Sequence, residues 1–153
     1  MINLFDLFKK KAYEGDIVDL KERYRVSEVT AYDGVPTVYY DILKHDDKEK
    51  VGSIDLRFTI EGDMYYYGHV GYNVLRRFRG HGYAYEACKV LFRIARKEFG
   101  MEELIITCSP ENIASYKTLV KLGGEMIEQV DVPPNHRLYM LGEKTKCIFR
   151  YKI

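Results

Sequence analysis

From Val35 onward the spacing of apolar residues switches between two periods, and the switches mark out the elements. Thr37 to Leu43 (TVYYDIL) and Val51 to Phe58 (VGSIDLRF) have the aromatic and β-branched content of strands, and they flank the polar link His45-Asp46-Asp47-Lys48-Glu49. A second polar link, Glu61-Gly62-Asp63, leads into Met64 to Val74 (MYYYGHVGYNV), which has the composition of a third strand. The period then lengthens. Ala84, Ala87, Cys88, Leu91, Ile94 and Ala95 recur at three- and four-residue steps, while Glu86, Lys89, Arg93, Arg96 and Lys97 take the other face. This predicts a helix over about 83–98, stopped by Gly100. Glu103 to Cys108 (ELIITC) is an apolar run of strand length, expected to be buried on both faces. Ser109-Pro110-Glu111-Asn112 breaks it and opens a second helix, about 113–122, which Gly123-Gly124 ends. Met126 to Val132 and Lys146 to Tyr151 read as two final strands across a Pro133-Pro134 loop. The first 30 residues are less legible: Ile2 to Lys11 fits a short helix, and Ile17 to Val26 fits a helix or a strand.

After that start the order is β-β-β-α-β-α-β-β. Strand, helix and strand in succession normally make one right-handed crossover between parallel neighbours. The expected fold class is therefore α/β (α+β), with a mixed, mostly antiparallel sheet flanked by helices. With 153 residues and no internal repeat or Pro/Gly/Ser linker, residues 1–153 are expected to form a single domain.

Charge narrows the partners. The net formal charge is +1, which argues against a general nucleic-acid or membrane-surface binder. Locally the balance differs: from Leu75 to Lys97 there are seven Lys or Arg and one Glu, a local +6. No apolar run approaches the roughly 20 residues of a membrane span. The N-terminal stretch places its apolar residues before its lysines, the reverse of a secretory leader. Cys88, Cys108 and Cys147 are odd in number and lack metal-ligand or CxxC spacing. Reduced thiols in a cytoplasmic protein, with no metal, are the expectation.

The basic stretch coincides with the chain's most informative segment, Arg79-Gly80-His81-Gly82-Tyr83-Ala84, between the expected third strand and the first helix. A helix N-terminus leaves backbone N–H groups unpaired, and glycine lets a ligand approach them closely. With the helix dipole and Arg76, Arg77 and Arg79 nearby, the turn suits a polyphosphate. A dinucleotide fingerprint fits poorly, because its third glycine position holds Tyr85, and no Lys-Ser/Thr is present for a P-loop.

A second motif narrows the ligand. Asn112-Ile113-Ala114-Ser115 opens the second helix, which ends in Lys121-Leu122-Gly123-Gly124. With Gly68-His69-Val70-Gly71-Tyr72 and Arg79 to Ala84 upstream, the chain over about residues 35–132 resembles the GNAT superfamily of acetyl-CoA-dependent N-acyltransferases. Its nearest likeness is to uncharacterised bacterial members carrying GHIGY, RGKGYA and NxAS…KLGG strings. The resemblance implies a central parallel pair of strands that splay apart, near Tyr72-Asn73-Val74 on one side and 105–108 on the other. It implies that Arg79, Gly80, His81, Gly82, Tyr83, Ala84 and Tyr85 hold the pyrophosphate of coenzyme A. Tyr72, Asn73 and Val74 would hold the pantetheine and supply an oxyanion-stabilising N–H, and Asn112 and Ser115 would contact the pantetheine arm. The implied reaction is attack of an amine, on a small molecule or a peptide, upon the acetyl thioester. The tyrosine that many relatives use on the second helix falls at Leu119, and the mid-strand carboxylate of some relatives falls at Gly68. The catalytic residues are therefore not identified, and an acyl-CoA-binding sensor or interaction module is the alternative.

Other residues with chemical potential have plainer readings. His69 is an available base, but strand alternation puts it on the opposite face from Gly68, Val70 and Tyr72, which suits a structural role. Tyr116 sits at core spacing with Ile113 and Val120, and Cys108 reads as a buried strand-end thiol. Tyr65-Tyr66-Tyr67 offers a lining for an acceptor cleft, and Glu61 and Asp63 read as solvated. The Lys146 to Tyr151 strand is expected to present an exposed edge on which two copies could pair.

Overall fold

The computed structural model describes residues 10–27 and 35–153. The expected helix over Ile2 to Lys11 falls almost entirely outside them. The described chain forms two antiparallel sheets. The first has the order β1-β2-β3-β4-β5, built from Ala12–Tyr13, Val18–Val26, Thr37–Lys44, Lys50–Arg57 and Val70–Val74. The second has the order β6-β8-β7, from Glu103–Cys108, Thr145–Lys152 and Glu125–Asp131. The ambiguous 17–26 segment is thus a strand. Helix α1, Tyr83–Phe99, links the sheets; α2, Ile113–Lys121, joins β6 to β7. The expectation of a mostly antiparallel, helix-flanked α/β fold holds, but in place of one mixed sheet there are two antiparallel sheets, and no ladder of the expected parallel pair joins β5 to β6.

Helix α1 follows its apolar spacing. Ala87, Cys88, Val90, Leu91, Ile94 and Ala95 are buried, in one core cluster with Leu20, Tyr40, Ile42, Ile54 and Leu56 of the first sheet and Leu104 and Ile106 of the second. Gly100 ends the helix in the left-handed region at φ 64°, its N–H donating back to the carbonyls of Ala95 and Arg96. Alternation on β6 and β8 sends Ile105 and Ile148 to the opposite face, where both are also buried.

Three further expectations need correction. The strand expected over Met64 to Val74 is shorter: Gly62–Tyr66 is a 3₁₀ turn, and only Val70–Val74 is strand. The cause lies at Gly68, whose φ of +71° bends the chain, and whose Tyr67 and Gly68 carbonyls are captured by Arg57 Nη1 at 3.2 and 3.1 Å. The loop after Pro133-Pro134 contains a short helix α3, Arg137–Met140, capped by the His136 side chain, which accepts from the Leu138 N–H. The Lys146 to Tyr151 segment is not an edge: β8 lies between β6 and β7, and among the described residues β7 is an outer strand. An antiparallel second copy on β7 would bring its acids Glu125, Glu128 and Asp131 against the same set, an unfavourable pairing.

Strands β5 and β6 share no ladder and touch through one isolated bridge, Gly68 to Ile106. A Cβ added at Gly68 would lie 2.7 Å from the Ile105 carbonyl oxygen, whereas one added at Gly62, with a similar φ of +59°, would meet nothing within 4 Å. Both positions impose the left-handed strain of about 1–2 kcal/mol on a substituent, but only Gly68 adds a backbone clash. Gly68→Ala is therefore expected to cost roughly 3 kcal/mol or more in urea denaturation, and Gly62→Ala about 1 kcal/mol.

Candidate active site

The gap between β5 and β6 is held open by a side chain doing the work of a backbone carbonyl. The His69 N–H donates to the Ile105 carbonyl at 2.7 Å, and the Ile105 N–H donates to His69 Nδ1 at 2.8 Å. A backbone N–H is always a donor, so Nδ1 carries no proton and the ring proton is on Nε2. Burial, helped by the nearby Arg57 charge, pushes the imidazole down to about 4. His69 is thus neutral and committed at Nδ1, as the structural reading expects. Two further bonds close the apex: Thr107 Oγ1 donates to the Tyr66 carbonyl at 2.8 Å, and Arg57 Nη2 stands 3.1 Å from Asp55.

Beyond the apex, among the described residues, β5 has only β4 as a neighbour. The pairing is fixed at either end by the Arg57 N–H donating to the His69 carbonyl and the Leu75 N–H to that of Val51. Antiparallel pairing alternates, so the backbone groups of Gly71 and Asn73 face β4. Those of Val70, Tyr72 and Val74 point the other way, into the gap. Arg79 Nε occupies the Val74 carbonyl at 2.9 Å and ties the following turn to the strand.

That turn is built on two left-handed glycines, Gly80 at φ 86° and Gly82 at φ 76°, with open space where their side chains would be. Gly82 caps α1 without any side-chain hydrogen bond. Among the described residues, no hydrogen bond engages the N–H groups of Gly80 through Tyr85. Lys121 from α2 lies 4.2 Å from the Tyr85 ring centroid, and Lys89 lies 5.2 Å away, so two cations flank the turn. Across the gap, Asn112 Oδ1 accepts from the Ser115 N–H at 3.2 Å and caps α2. The Ser115 hydroxyl meets the Tyr72 hydroxyl at 2.7 Å.

These parts enclose a cleft of about 360 Å³, within the range of small-molecule sites. Tyr72, Asn73, Val74, Arg79, Gly80, Gly82, Tyr83, Ala84, Tyr85, Asn112 and Ser115 all line it. His81 does not: its Nδ1 lies 3.0 Å from the Phe78 carbonyl, and its ring stacks on Tyr83 at 5.5 Å. Phe78, Ala114 and Thr118 also line the cleft. Thr118 was within reach of sequence reasoning, being three residues past Ser115 on one helix face; Phe78 sits on a 3₁₀ turn, Arg76–Phe78, with no such periodicity.

The remaining candidates fall elsewhere. Leu119 is fully buried, and its carbonyl accepts from the Tyr151 hydroxyl at 2.6 Å. Tyr116 packs edge-on against Phe149 at 5.6 Å. Cys88 and Cys108 are buried thiols pushed up to about 12 and about 11 by desolvation. Of the tyrosine run, Tyr65 hydrogen-bonds Glu128, while Tyr66 and Tyr67 lie 5.1 and 5.2 Å from the His136 ring. Among the described residues no His/Cys/Asp/Glu group is placed to hold a metal, and no helix is long and apolar enough to cross a membrane.

The comparisons with known proteins give the family. Residues 15–125 match the family model of the acetyltransferase (GNAT) domain. The chain belongs to the GNAT family. It is 34% identical over 84 residues to the uncharacterized N-acetyltransferase YnaD of Bacillus subtilis (strain 168), a match covering 55% of this chain and 48% of that protein. The matched region is thus about half the length of that relative. The fold is shared with a ribosomal-protein-S5-alanine acetyltransferase from Vibrio fischeri, with a TM-score of 0.66 and 14% identity over 93% of this chain and 96% of that one. It is shared too with RimL, a ribosomal L7/L12 alpha-N-protein acetyltransferase solved with coenzyme A, at a TM-score of 0.68 and 10% identity over 94% and 98%.

The His69 arrangement has a pH signature. With the folded value near 4 and the unfolded value near ~6.5, the unfolded chain alone takes up this proton as pH falls through that window. The His69 contribution is therefore complete above pH ~6.5 and is lost progressively down to about pH 4, amounting to about 2 kcal/mol after allowance for partial solvent screening. Urea denaturation at pH 7, 5.5 and 4.5 is expected to show a steeper loss for the native chain than for His69→Gln, whose amide oxygen accepts the Ile105 N–H without titrating.

Proposed function

We propose that the chain is an acetyl-CoA-dependent N-acetyltransferase that acts as a single domain, passing an acetyl group to an amine on a small molecule or a peptide. The observation that carries this reading is the run of free amides from Gly80 to Tyr85 at the start of α1, whose residues other than His81 line the same cleft as Tyr72 and Val74. The free N–H groups of Gly80, Gly82, Tyr83, Ala84 and Tyr85, two left-handed glycines and the positive end of a 17-residue helix would together cradle an anion. Arg79, Lys89 and Lys121 around it add charge suited to a pyrophosphate. The free edge of β5 suits the amide-bearing pantetheine arm, which would pair with it as an added strand. Asn112 and Ser115 stand on the facing helix.

The coenzyme supplies an acyl group activated as a thioester. The chain's part is to bind and orient it and to stabilise charge. The N–H groups of Tyr72 and Val74 point into the gap, where one of them would donate to the carbonyl oxygen as negative charge develops. A protonated primary amine has a pKa near ~10.4, so at neutral pH only about one acceptor molecule in a thousand is nucleophilic. No carboxylate can occupy position 68, given its φ and the nearby Ile105 carbonyl, and His69 Nδ1 is already engaged. Selection of the neutral amine from solution is therefore the simplest route to a reactive acceptor. The alternative, a non-catalytic acyl-CoA sensor, draws on the hydrocarbon at Leu119; the unpaired N–H donors of β5 favour the enzyme. Three buried, unbridged cysteines suit a reducing, cytoplasmic setting.

Acetyl-CoA at 100 times its dissociation constant should stabilise the chain by about 2.7 kcal/mol through mass action, visible as a rise in melting temperature. Gly82→Asp places a carboxylate at the cradle in open space. It should cost the fold only about 1 kcal/mol while weakening acetyl-CoA at least about tenfold. A chain that gains no stability from acetyl-CoA, or an Asp variant that binds it undiminished, would refute the assignment. Release of free thiol with a panel of amines separates the enzyme from the sensor.

A further inference from the structure

Apart from the cleft beside β5, the described residues enclose a second and larger cavity, of about 490 Å³. It lies between the β1–β2 loop, the β3–β4 hairpin and the polar face of α1, and it shares no lining residue with the cleft. Its walls are braced. A Cβ on Gly15 would lie 2.3 Å from the Val18 carbonyl oxygen and 2.7 Å from Val90 Cγ2, so the glycine lets the loop press against the helix. Arg93 of α1 donates through Nη2 to the Glu14 carbonyl and ties the same loop down. Asp19, 4% exposed, accepts from the Gly15 N–H at 3.1 Å, from His45 Nδ1 at 2.8 Å and from Lys48. Burial opposes the Asp19 charge, but the bonds from Lys48 and His45 prevail and hold its carboxyl below the usual range.

An ionised carboxylate only accepts, so Nδ1 of the His45 ring carries a proton. Nε2 is left without a partner among the described residues, on a side chain that lines the cavity. Charges of both signs surround it. Glu86 and Lys89 pair with each other at 3.3 Å. The Glu14 and Asp16 carboxylates have no side-chain partner among the described residues, and Arg93 has guanidinium donors beyond the one it uses. Among the described residues no three of the acids and His45 are placed to hold a metal ion. A simple cation would answer the two acids and oppose Arg93, and a simple anion would do the reverse. A ligand with an ammonium and a carboxylate answers both, and His45 Nε2 serves either end, accepting when neutral and donating when protonated.

We propose that this cavity is a second ligand site, for a small zwitterion of the amino-acid type. It stands apart from the coenzyme A reading and does not depend on it. Arg93 takes the carboxylate, and Glu14 and Asp16 take the ammonium. Among the lining residues Val90 is the one with an apolar side chain. The ligand's own side chain is therefore polar, and the volume leaves room for it.

The test is calorimetry of the full chain, without coenzyme, against L-glutamine, L-lysine and L-glutamate. Each is compared with its Nα-acetyl and α-carboxamide forms, and all with inorganic phosphate. At least one amino acid should bind saturably, and removing either of its end charges should weaken it about tenfold. Arg93→Gln should bind that amino acid and its carboxamide alike, whereas Arg93→Lys, which keeps the charge, should retain the preference. The double variant Glu14→Gln with Asp16→Asn should bind the amino acid and its Nα-acetyl form alike. Thermal melting shows that each variant is folded, and the acid pair tests the site even if the loop loosens in Arg93→Gln. The proposal is overturned if none of the three binds, if capping both ends changes nothing, or if phosphate binds as tightly as the amino acid. It is overturned too if the variants discriminate among the capped forms as the native chain does. None of these results turns on whether the chain binds acetyl-CoA.

Discussion

At the junction of the two sheets, the amide of Ile105 is satisfied by an imidazole nitrogen where a paired strand would offer a carbonyl. This bond, with the return bond from the His69 N–H, lets β5 and β6 meet at one point and then diverge. A buried, unpaired backbone group costs about 1–3 kcal/mol, so a splayed sheet needs some device at its apex. Here the device is a histidine kept neutral by burial, with Arg57 holding the two carbonyls just upstream. The left-handed Gly68 turns the chain into this position, and the Ile105 carbonyl beside it leaves no room for a side chain.

Everything offered at the cleft follows from that divergence. Because β6 turns away, alternate backbone groups of β5 face a cleft rather than a neighbour. Because the chain leaves β5 through two left-handed glycines, the amides at the start of α1 open on the same cleft. Helix α2 closes the opposite wall with Asn112 and Ser115. On the proposed reading backbone would carry most of the recognition, and neither Leu119 nor Gly68 adds a reactive side chain.

Local pattern was a good guide where one element determines its own residues. The spacing of Ala87, Cys88, Leu91, Ile94 and Ala95 predicts α1, and the apolar run Glu103 to Cys108 is β6 to the residue. Eleven of the twelve residues expected at the coenzyme site line one cleft, and each belongs to one of three short contiguous stretches, 72–74, 79–85 and 112–115. What escaped was long-range. The aromatic run at 64–69 has strand composition, but a contact with Arg57 and the turn at Gly68 make it a 3₁₀ turn and a bend. The position of β8 inside its sheet depends on partners about 20 and 40 residues upstream, which composition does not encode. His69 was legible as structural from alternation, yet its partner Ile105 lies 36 residues away.

The central claim, that a splayed strand and a bare helix start form one coenzyme A site, is tested most directly by residue-resolved amide hydrogen exchange with and without coenzyme A. Protection should appear at Gly80 through Tyr85 and at Tyr72 or Val74, while Gly71 and Asn73, already paired to β4, stay as they were. Uniform protection of all of β5, or protection confined to surfaces away from the cleft, would contradict the account.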